Sequence, residues 1–263
     1  MQSRTPAGQT RRAATESRAE PAVPPAYFLS VHAYCCEFDD GAILLDLRSD
    51  TYLGIDAQHL SNLRARVGNW PDSDRSDREV EHHDVSASES LLVDLLARGI
   101  LTTTPTSRQS SPAPNPTTAL TVTSFERTRR RIPLTHIAQF FIALLVVMSC
   151  LERNRLPALL GWLRQRQSSI QRGNAVPQEE IVERLASFLR LRLWCYTARQ
   201  RCLFDSLVLT VYLTKAKIPC TFVIGVASKP FLAHSWVQIG DSVLNDTAEH
   251  AQDFKTILSV GGE

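Results

Sequence analysis

The stretch Arg201–Asp246, RCLFDSLVLTVYLTKAKIPCTFVIGVASKPFLAHSWVQIGDSVLND, decides the reading of this chain. Its opening run, CLFDSLVLTVYLTKA, is apolar on nearly every side, as a helix buried at the centre of a domain would be. Pro219 stops it, because proline has no N–H with which to continue the ladder. Short β-branched runs follow, CTFVIGVA, HSWVQIG and SVLND, separated by Pro/Lys and Gly-Asp turns. A buried helix feeding an antiparallel sheet is the expected result. On that frame Cys202 heads the helix, His234 starts a strand and Asp246 ends the next. A thiol attacks as its thiolate, which the partial positive charge of a helix N-terminus favours and a neighbouring base generates. The base in turn needs a carboxylate to fix its tautomer. Taken singly, the three residues suit an inert buried thiol, a hydrogen-bonded core or surface histidine and a turn residue. Their joint placement on helix start, strand start and adjacent strand end is the positional logic of a thiol–imidazole–carboxylate triad.

Register decides whether His234 and Asp246 meet. A two-residue loop at Gly240-Asp241 sets Ile239 opposite Ser242 and Ser235 opposite Asp246, which puts imidazole and carboxylate on opposite faces. A three-residue loop, Ile239–Asp241, with a bulge sets His234 opposite Asp246 on one face. The bulged register is therefore the expectation.

Upstream of this segment lie helical patterns, IAQFFIALLVVMSCLERNRLPALLGWLRQRQ and PQEEIVERLASFLRLRLWC, the second with Pro177 near its start. The most apolar part, Phe140–Leu151, is far shorter than the roughly 20 residues that span a bilayer and reads as a buried helix without membrane insertion. Residues 102–120 are rich in Ser, Thr and Pro and read as a linker. Before it, residues 26–101 form a small α+β unit. YFLSVHAYC, AILLDLR and TYLGI read as three strands with turns at Asp39-Asp40-Gly41 and Ser49-Asp50. Asp56 is placed to cap AQHLSNLRARV, and Gly99 to end SESLLVDLLARGIL. Residues 1–25 lack apolar periodicity and read as a disordered tail, leaving 121–263 as the second domain.

Composition excludes several classes. The chain has 263 residues, 29 Lys and Arg against 27 Asp and Glu, and a net charge of +2, too small for an electrostatic nucleic-acid binder. Cys35, Cys36, Cys150, Cys195, Cys202 and Cys220 show no zinc-like spacing, so no metal site is expected. His32, His59, His82, His83, His136 and His250 likewise show no ligand spacing, and Cys195 and Cys220 are taken as structural. The N-terminus has no apolar h-region, which points to a cytoplasmic protein with reduced thiols.

The 201–246 segment resembles the lasso-peptide leader peptidases, maturation proteins with a transglutaminase-like, papain-like cysteine protease core. The resemblance rests on Cys202-Leu203, Ser206-Leu207, Ile218-Pro219, Val223-Ile224-Gly225-Val226, Lys229-Pro230-Phe231, Ala233-His234, Trp236-Val237 and Val243-Leu244-Asn245-Asp246. It implies Cys202 as nucleophile, His234 as general base and Asp246 as its orienting partner. Asp205 stands where many relatives carry a basic residue. Residues 27–101 resemble the PqqD-like recognition element of ribosomal-peptide maturation, a winged-helix-like module of three strands and three helices. That resemblance implies a leader peptide adding as a strand at Thr51, Tyr52 and Leu53 and packing on Leu92 and Leu95; core packing is the equal alternative for the apolar four.

Together the resemblances imply an ATP-associated cysteine endopeptidase that removes the leader of a ribosomally made precursor and frees the core amine for an asparagine-synthetase-like lasso cyclase to close as a macrolactam. No G-x-x-x-x-G-K-[ST] run is present, so no directly bound cofactor is expected and any ATP requirement falls to the partner cyclase. For the oxyanion the Cys202 N–H is a natural donor, with Gln200 or Trp194 as further candidates. An acyl-transferring transglutaminase-like enzyme and a non-catalytic precursor-binding scaffold are the alternatives.

Overall fold

Two hairpins close where the turn residues stand. In the computed structural model, which describes residues 27–71, 85–106, 113–120, 131–171, 176–196 and 202–261, β1 is Phe28–Leu29, β2 Ala33–Phe38, β3 Gly41–Asp46 and β4 Thr51–Asp56. β2, β3 and β4 form an antiparallel sheet in chain order, with Phe38 opposite Gly41 and Asp46 opposite Thr51. The tail expected at 1–25 lies outside the described residues. The run Tyr27–Cys35 is not one strand. It breaks at Ser30, whose N–H and hydroxyl donate to the carbonyls of Ile100 and Gly99, and β1 pairs instead with β5, Leu101–Thr102.

Gly41 is required where it stands. Its φ is +149° and a Cβ there would fall 2.1 Å from the Ile55 carbonyl oxygen on the neighbouring strand. Gly41→Ala is expected to cost about 2 kcal/mol or more, with a fall in Tm of about 5 °C by thermal denaturation. An unchanged Tm would show that β3 and β4 separate freely at that end.

Helix α1, Ala57–Arg66, starts at Asp56 as expected, although the Asp56 side chain makes no capping bond. Helix α2, Val85–Ala97, ends where Gly99 takes φ +71° and Ile100 N–H reaches the Leu95 carbonyl at 2.9 Å, a left-handed glycine closure. Among the described residues this unit has these two helices; the third helix of the winged-helix expectation is not among them. Ala42, Leu44 and Ile55 pack with Leu60, Leu63, Leu92 and Leu95 on one face of the sheet. Tyr34, Cys36, Ile43 and Leu45 on the other face belong to the main core of the chain. Every residue of β3 is therefore buried, and the N-terminal sheet is a middle layer.

The linker reading of 102–120 needs correction at its end. β6, Thr118–Ala119, runs parallel to β9, Ser242–Val243, and Pro114 and Pro116 carbonyls accept from the side-chain amides of Gln238 and Gln252. Polar carboxamides and a free strand edge thus anchor a segment that has too few apolar side chains to anchor itself.

Helix α3, Leu134–Glu152, departs from the buried helix expected there. His136, Phe140, Ala143 and Val147, spaced four, three and four apart, form its inward stripe, while Leu134, Phe141, Ile142, Leu145 and Met148 are exposed. By length and composition it could cross a membrane, with mean hydropathy 2.1, and 22% of that span is buried. Helices α4, Leu156–Gln171, and α5, Gln178–Cys195, complete the layer around α6, Cys202–Lys215, whose residues Asp205–Thr214 are all buried, as an all-round apolar pattern demands. β7, Thr221–Ala227, β8, Leu232–Ile239, and β10, Lys255–Val260, join β9 and β6 in a sheet of order β10-β7-β8-β9-β6. Helix α7, Ala248–Gln252, sits between β9 and β10 and is capped by the Thr247 hydroxyl.

Candidate active site

The His234 Nε2 lies 2.5 Å from Asp246 Oδ2, but the register that achieves this is not the bulged one. Ile239 pairs with Ser242 and Gln238 with Val243, across a two-residue turn in which Gly240 takes φ +58°. The ladder continues only to Leu244, whose N–H donates to the Val237 carbonyl at 2.8 Å. There the Asn245 side-chain carbonyl accepts the Val237 N–H at 2.9 Å in place of a backbone partner. The chain turns out of the sheet, and Asp246 swings to the face that strict alternation denied it.

Cys202, at the first position of α6, completes the line. The neighbouring His234 imidazole lowers the Cys202 pKa below its usual 9.0 against the opposing effect of burial, and Ser235 adds to the lowering. Burial pulls the His234 pKa down, yet the hydrogen bonds of Asp246 and Cys202 outweigh it and lift it to about 9. Asp246 is held below the usual carboxylate range. Burial opposes this, but the bonds from His234, the Thr247 N–H and His250 prevail. The three groups therefore favour a thiolate–imidazolium pair backed by a carboxylate.

Packing fixes the imidazole. His234 sits among Trp236, His250 and Phe254, at ring-centroid distances of 6.2, 4.6 and 5.2 Å. Gly225, opposite His234, makes this closeness possible, because a Cβ there would lie 2.7 Å from both Trp236 and Phe254.

Residues 140–259 match the transglutaminase-like superfamily. The match takes in α3 through β10 and includes all three triad residues. The microcin J25-processing protein McjB of Escherichia coli is 26% identical over 101 residues, which are 38% of this chain and 49% of that protein. The chain thus spans about half the length of the curated relative it matches. No solved structure matches.

Around Cys202, His234 and Asp246 the structure adds residues that spacing did not single out. His250 Nδ1 is 2.7 Å from the same Asp246 Oδ2, so one oxygen serves two imidazoles. The i,i+4 spacing of Asp246 and His250 across the Thr247 cap was the available signal. His234, Asp246 and His250 offer metal-capable atoms within 4.8 Å of one another, a cluster that the cysteine and histidine spacings did not reveal. Asp205, the departure from the family pattern, is 2% exposed and pairs with Arg192 at 3.0 Å, while Tyr196 donates to its other oxygen at 3.0 Å. Asn245 Nδ2 donates to Ser206 Oγ at 2.9 Å, and that hydroxyl donates to the Ser235 carbonyl at 2.9 Å. The helix carrying Cys202, the strand carrying His234 and the turn carrying Asp246 are thereby tied through one polar network.

Other expectations change. Leu92 and Leu95 are 3% and 1% exposed in the N-terminal core, since spacing of three turns both inward, and neither is open to a leader. Thr51 is exposed, and Tyr52 and Leu53 are half-buried on β4, whose outer edge pairs with no strand among the described residues. Trp194 is 90% exposed near the end of α5, and Gln200, His82 and His83 lie outside the described residues. Cys195 is exposed, whereas Cys220 is buried, with burial pushing its thiol up to about 12. A cavity of about 1,220 Å³ lies between the start of α3 and α5 beside His136 and Arg184, and none of Cys202, His234 and Asp246 lines it.

Proposed function

We propose that this chain is a cysteine endopeptidase that binds the leader of a ribosomally made precursor peptide and cuts it off to free the core N-terminus in lasso-peptide biosynthesis. The observation that carries the reading is the Cys202–His234–Asp246 line at the head of a buried helix, within 140–259. The relative's printed role in processing microcin J25 supports a peptide substrate for this chain.

The Cys202 thiolate adds to the scissile carbonyl carbon, and the C–N bond breaks as the His234 imidazolium gives its proton to the departing core amine. Water, deprotonated by His234, then adds to the thioester, releasing the leader carboxylate and returning the thiol proton. Asp246 holds the ring and stabilises its charge through both half-reactions. The backbone N–H of Cys202 is a natural oxyanion donor.

The leader adds along the free edge of β4 at Thr51–Leu53, where main-chain bonds give affinity. Leader docking raises the effective concentration of the cleavage site at Cys202. A lasso cyclase of the asparagine-synthetase type takes the freed amine, and any ATP requirement belongs to it.

Mass spectrometry of the precursor incubated with this protein, with and without the cyclase, tests the reading. Leader bearing a free carboxylate and core bearing a free amine are expected, and Cys202→Ala is expected to yield neither. Leader joined to an added amine would establish acyl transfer, the chemistry that the superfamily match also admits. Maturation undiminished in Cys202→Ala would leave only a scaffold.

A further inference from the structure

A cavity of about 400 Å³ lies between the N-terminal sheet and the turn joining β7 to β8, lined by Phe38, Ile43, Tyr52 and Gly54 on one side and Ser228 and Phe231 on the other. This is within the range of about 300–1,000 Å³ typical of ligand pockets. Polar and apolar groups share its lining, with Asp40 and Asp56 at its edge beside the aromatic and aliphatic side chains, and the Asp40–Lys229 ion pair at 2.9 Å ties the two sides together at the rim.

Three observations connect this space to the triad. The Tyr52 and Phe231 rings meet at 5.4 Å, and Phe231 stands three residues before His234 on the run into β8. Cys202 is near enough to Tyr52 for its charge, after burial and Asp50, to help raise the phenol pKa to about 12. β4 presents Tyr52 and Gly54 on the cavity face and Leu53 and Ile55 on the opposite, α1–α2 face. A peptide paired along the free edge of β4 sends every second side chain toward the cavity.

Gly54 supplies the room. Nothing lies within 4 Å of the position a Cβ would occupy there, although Gly54 is in a strand interior, where glycine is otherwise a cost.

We propose that this cavity is a specificity subsite that takes an apolar side chain of the peptide substrate, with Tyr52 and Phe231 as its walls and Gly54 as its opening. The inference rests on the peptidase reading above. It assigns selectivity to a surface that neither domain forms alone, so the recognition sheet acts as part of the active site as well as a tether.

The test uses the full-length protein and acetyl-tetrapeptidyl chloromethyl ketones, each carrying one leucine or phenylalanine in an alanine background. Alkylation of Cys202 is followed by intact mass and divided by the rate with iodoacetamide. At one peptide position, leucine or phenylalanine is expected to raise that ratio about tenfold over alanine, the scale of a methylene or two in an apolar pocket. Gly54→Leu is expected to abolish the preference by filling the cavity, and Phe231→Ala to shift it from leucine toward phenylalanine by widening it. Labelling of Cys202 with no positional preference, or a preference that survives both substitutions, overturns the subsite while leaving the peptidase intact. Failure of every peptidyl ketone to label Cys202 when iodoacetamide does overturns both.

Discussion

Precursor turnover by Asp246→Asn is expected to fall about 10³–10⁴-fold, the scale on which a triad loses rate when its imidazole is held in the wrong tautomer. Asp246 Oδ2 accepts from His234 Nε2 at 2.5 Å and from His250 Nδ1 at 2.7 Å, and an amide in its place can offer an N–H where both rings need an acceptor. The pH dependence carries the sharper signature. In the native chain the active ion pair is lost on the acid side as the Cys202 thiolate protonates, below the usual 9.0. It is lost on the alkaline side as His234 gives up its proton near 9. The substitution removes the carboxylate that lifts His234, so the alkaline limb moves down toward the ordinary histidine value of about 6.5. The linkage to stability has the same sign. A histidine pKa raised on folding contributes stability that is complete below about 6.5 and fades as pH rises through the folded value. Rate–pH profiles of the two proteins check this, and an unmoved alkaline limb with near-native turnover would remove Asp246 from the mechanism.

Arg192→Leu is expected to destabilise the fold by about 3 kcal/mol, lowering Tm by about 6–12 °C, because it leaves the Asp205 carboxylate buried without its cation. The Arg192 side chain is 19% exposed, which places the effect at the lower end for a buried pair, but the Asp205 side chain is only 3% exposed. Asp205→Asn in the Arg192→Leu background is expected to restore most of the loss. The amide needs no counter-charge and can still accept from the Tyr196 hydroxyl. Thermal denaturation of the single and double variants gives the answer, and a single variant within about 1 °C of the native Tm would mean that solvent screens the pair.

The placement of Cys202, His234 and Asp246 was legible in the sequence because these residues sit at element boundaries that residue type alone marks. A cysteine opens an apolar run, a histidine opens a β-branched run and an aspartate closes another. The register was not legible. Gly240 and Asp241 form the short turn that glycine chemistry favours, and alternation from that turn would have separated His234 from Asp246. What overrides alternation is Asn245, whose side chain takes the Val237 N–H and ends the ladder one residue before Asp246. Period-two reasoning holds only while backbone meets backbone. Leu92 and Leu95, which suited core packing and leader contact equally, lie in the N-terminal core; an apolar stripe reports burial without naming the surface that buries it. Helix α3 shows the converse: apolar residues all round, yet Leu134, Phe141, Ile142, Leu145 and Met148 stay exposed among the described residues.

The chain's own pattern determined the elements, the buried helix behind Cys202 and the chemistry available at residues 202, 234 and 246, because period, turn residues and side-chain type are local properties. Only the tertiary structure decided that one oxygen of Asp246 serves both His234 and His250, that Asp205 finds Arg192, and that the N-terminal sheet lies against the main core, with Tyr52 on Phe231. Those contacts join surfaces far apart along the chain, and nothing within a window of neighbouring residues specifies which distant surface excludes water from which.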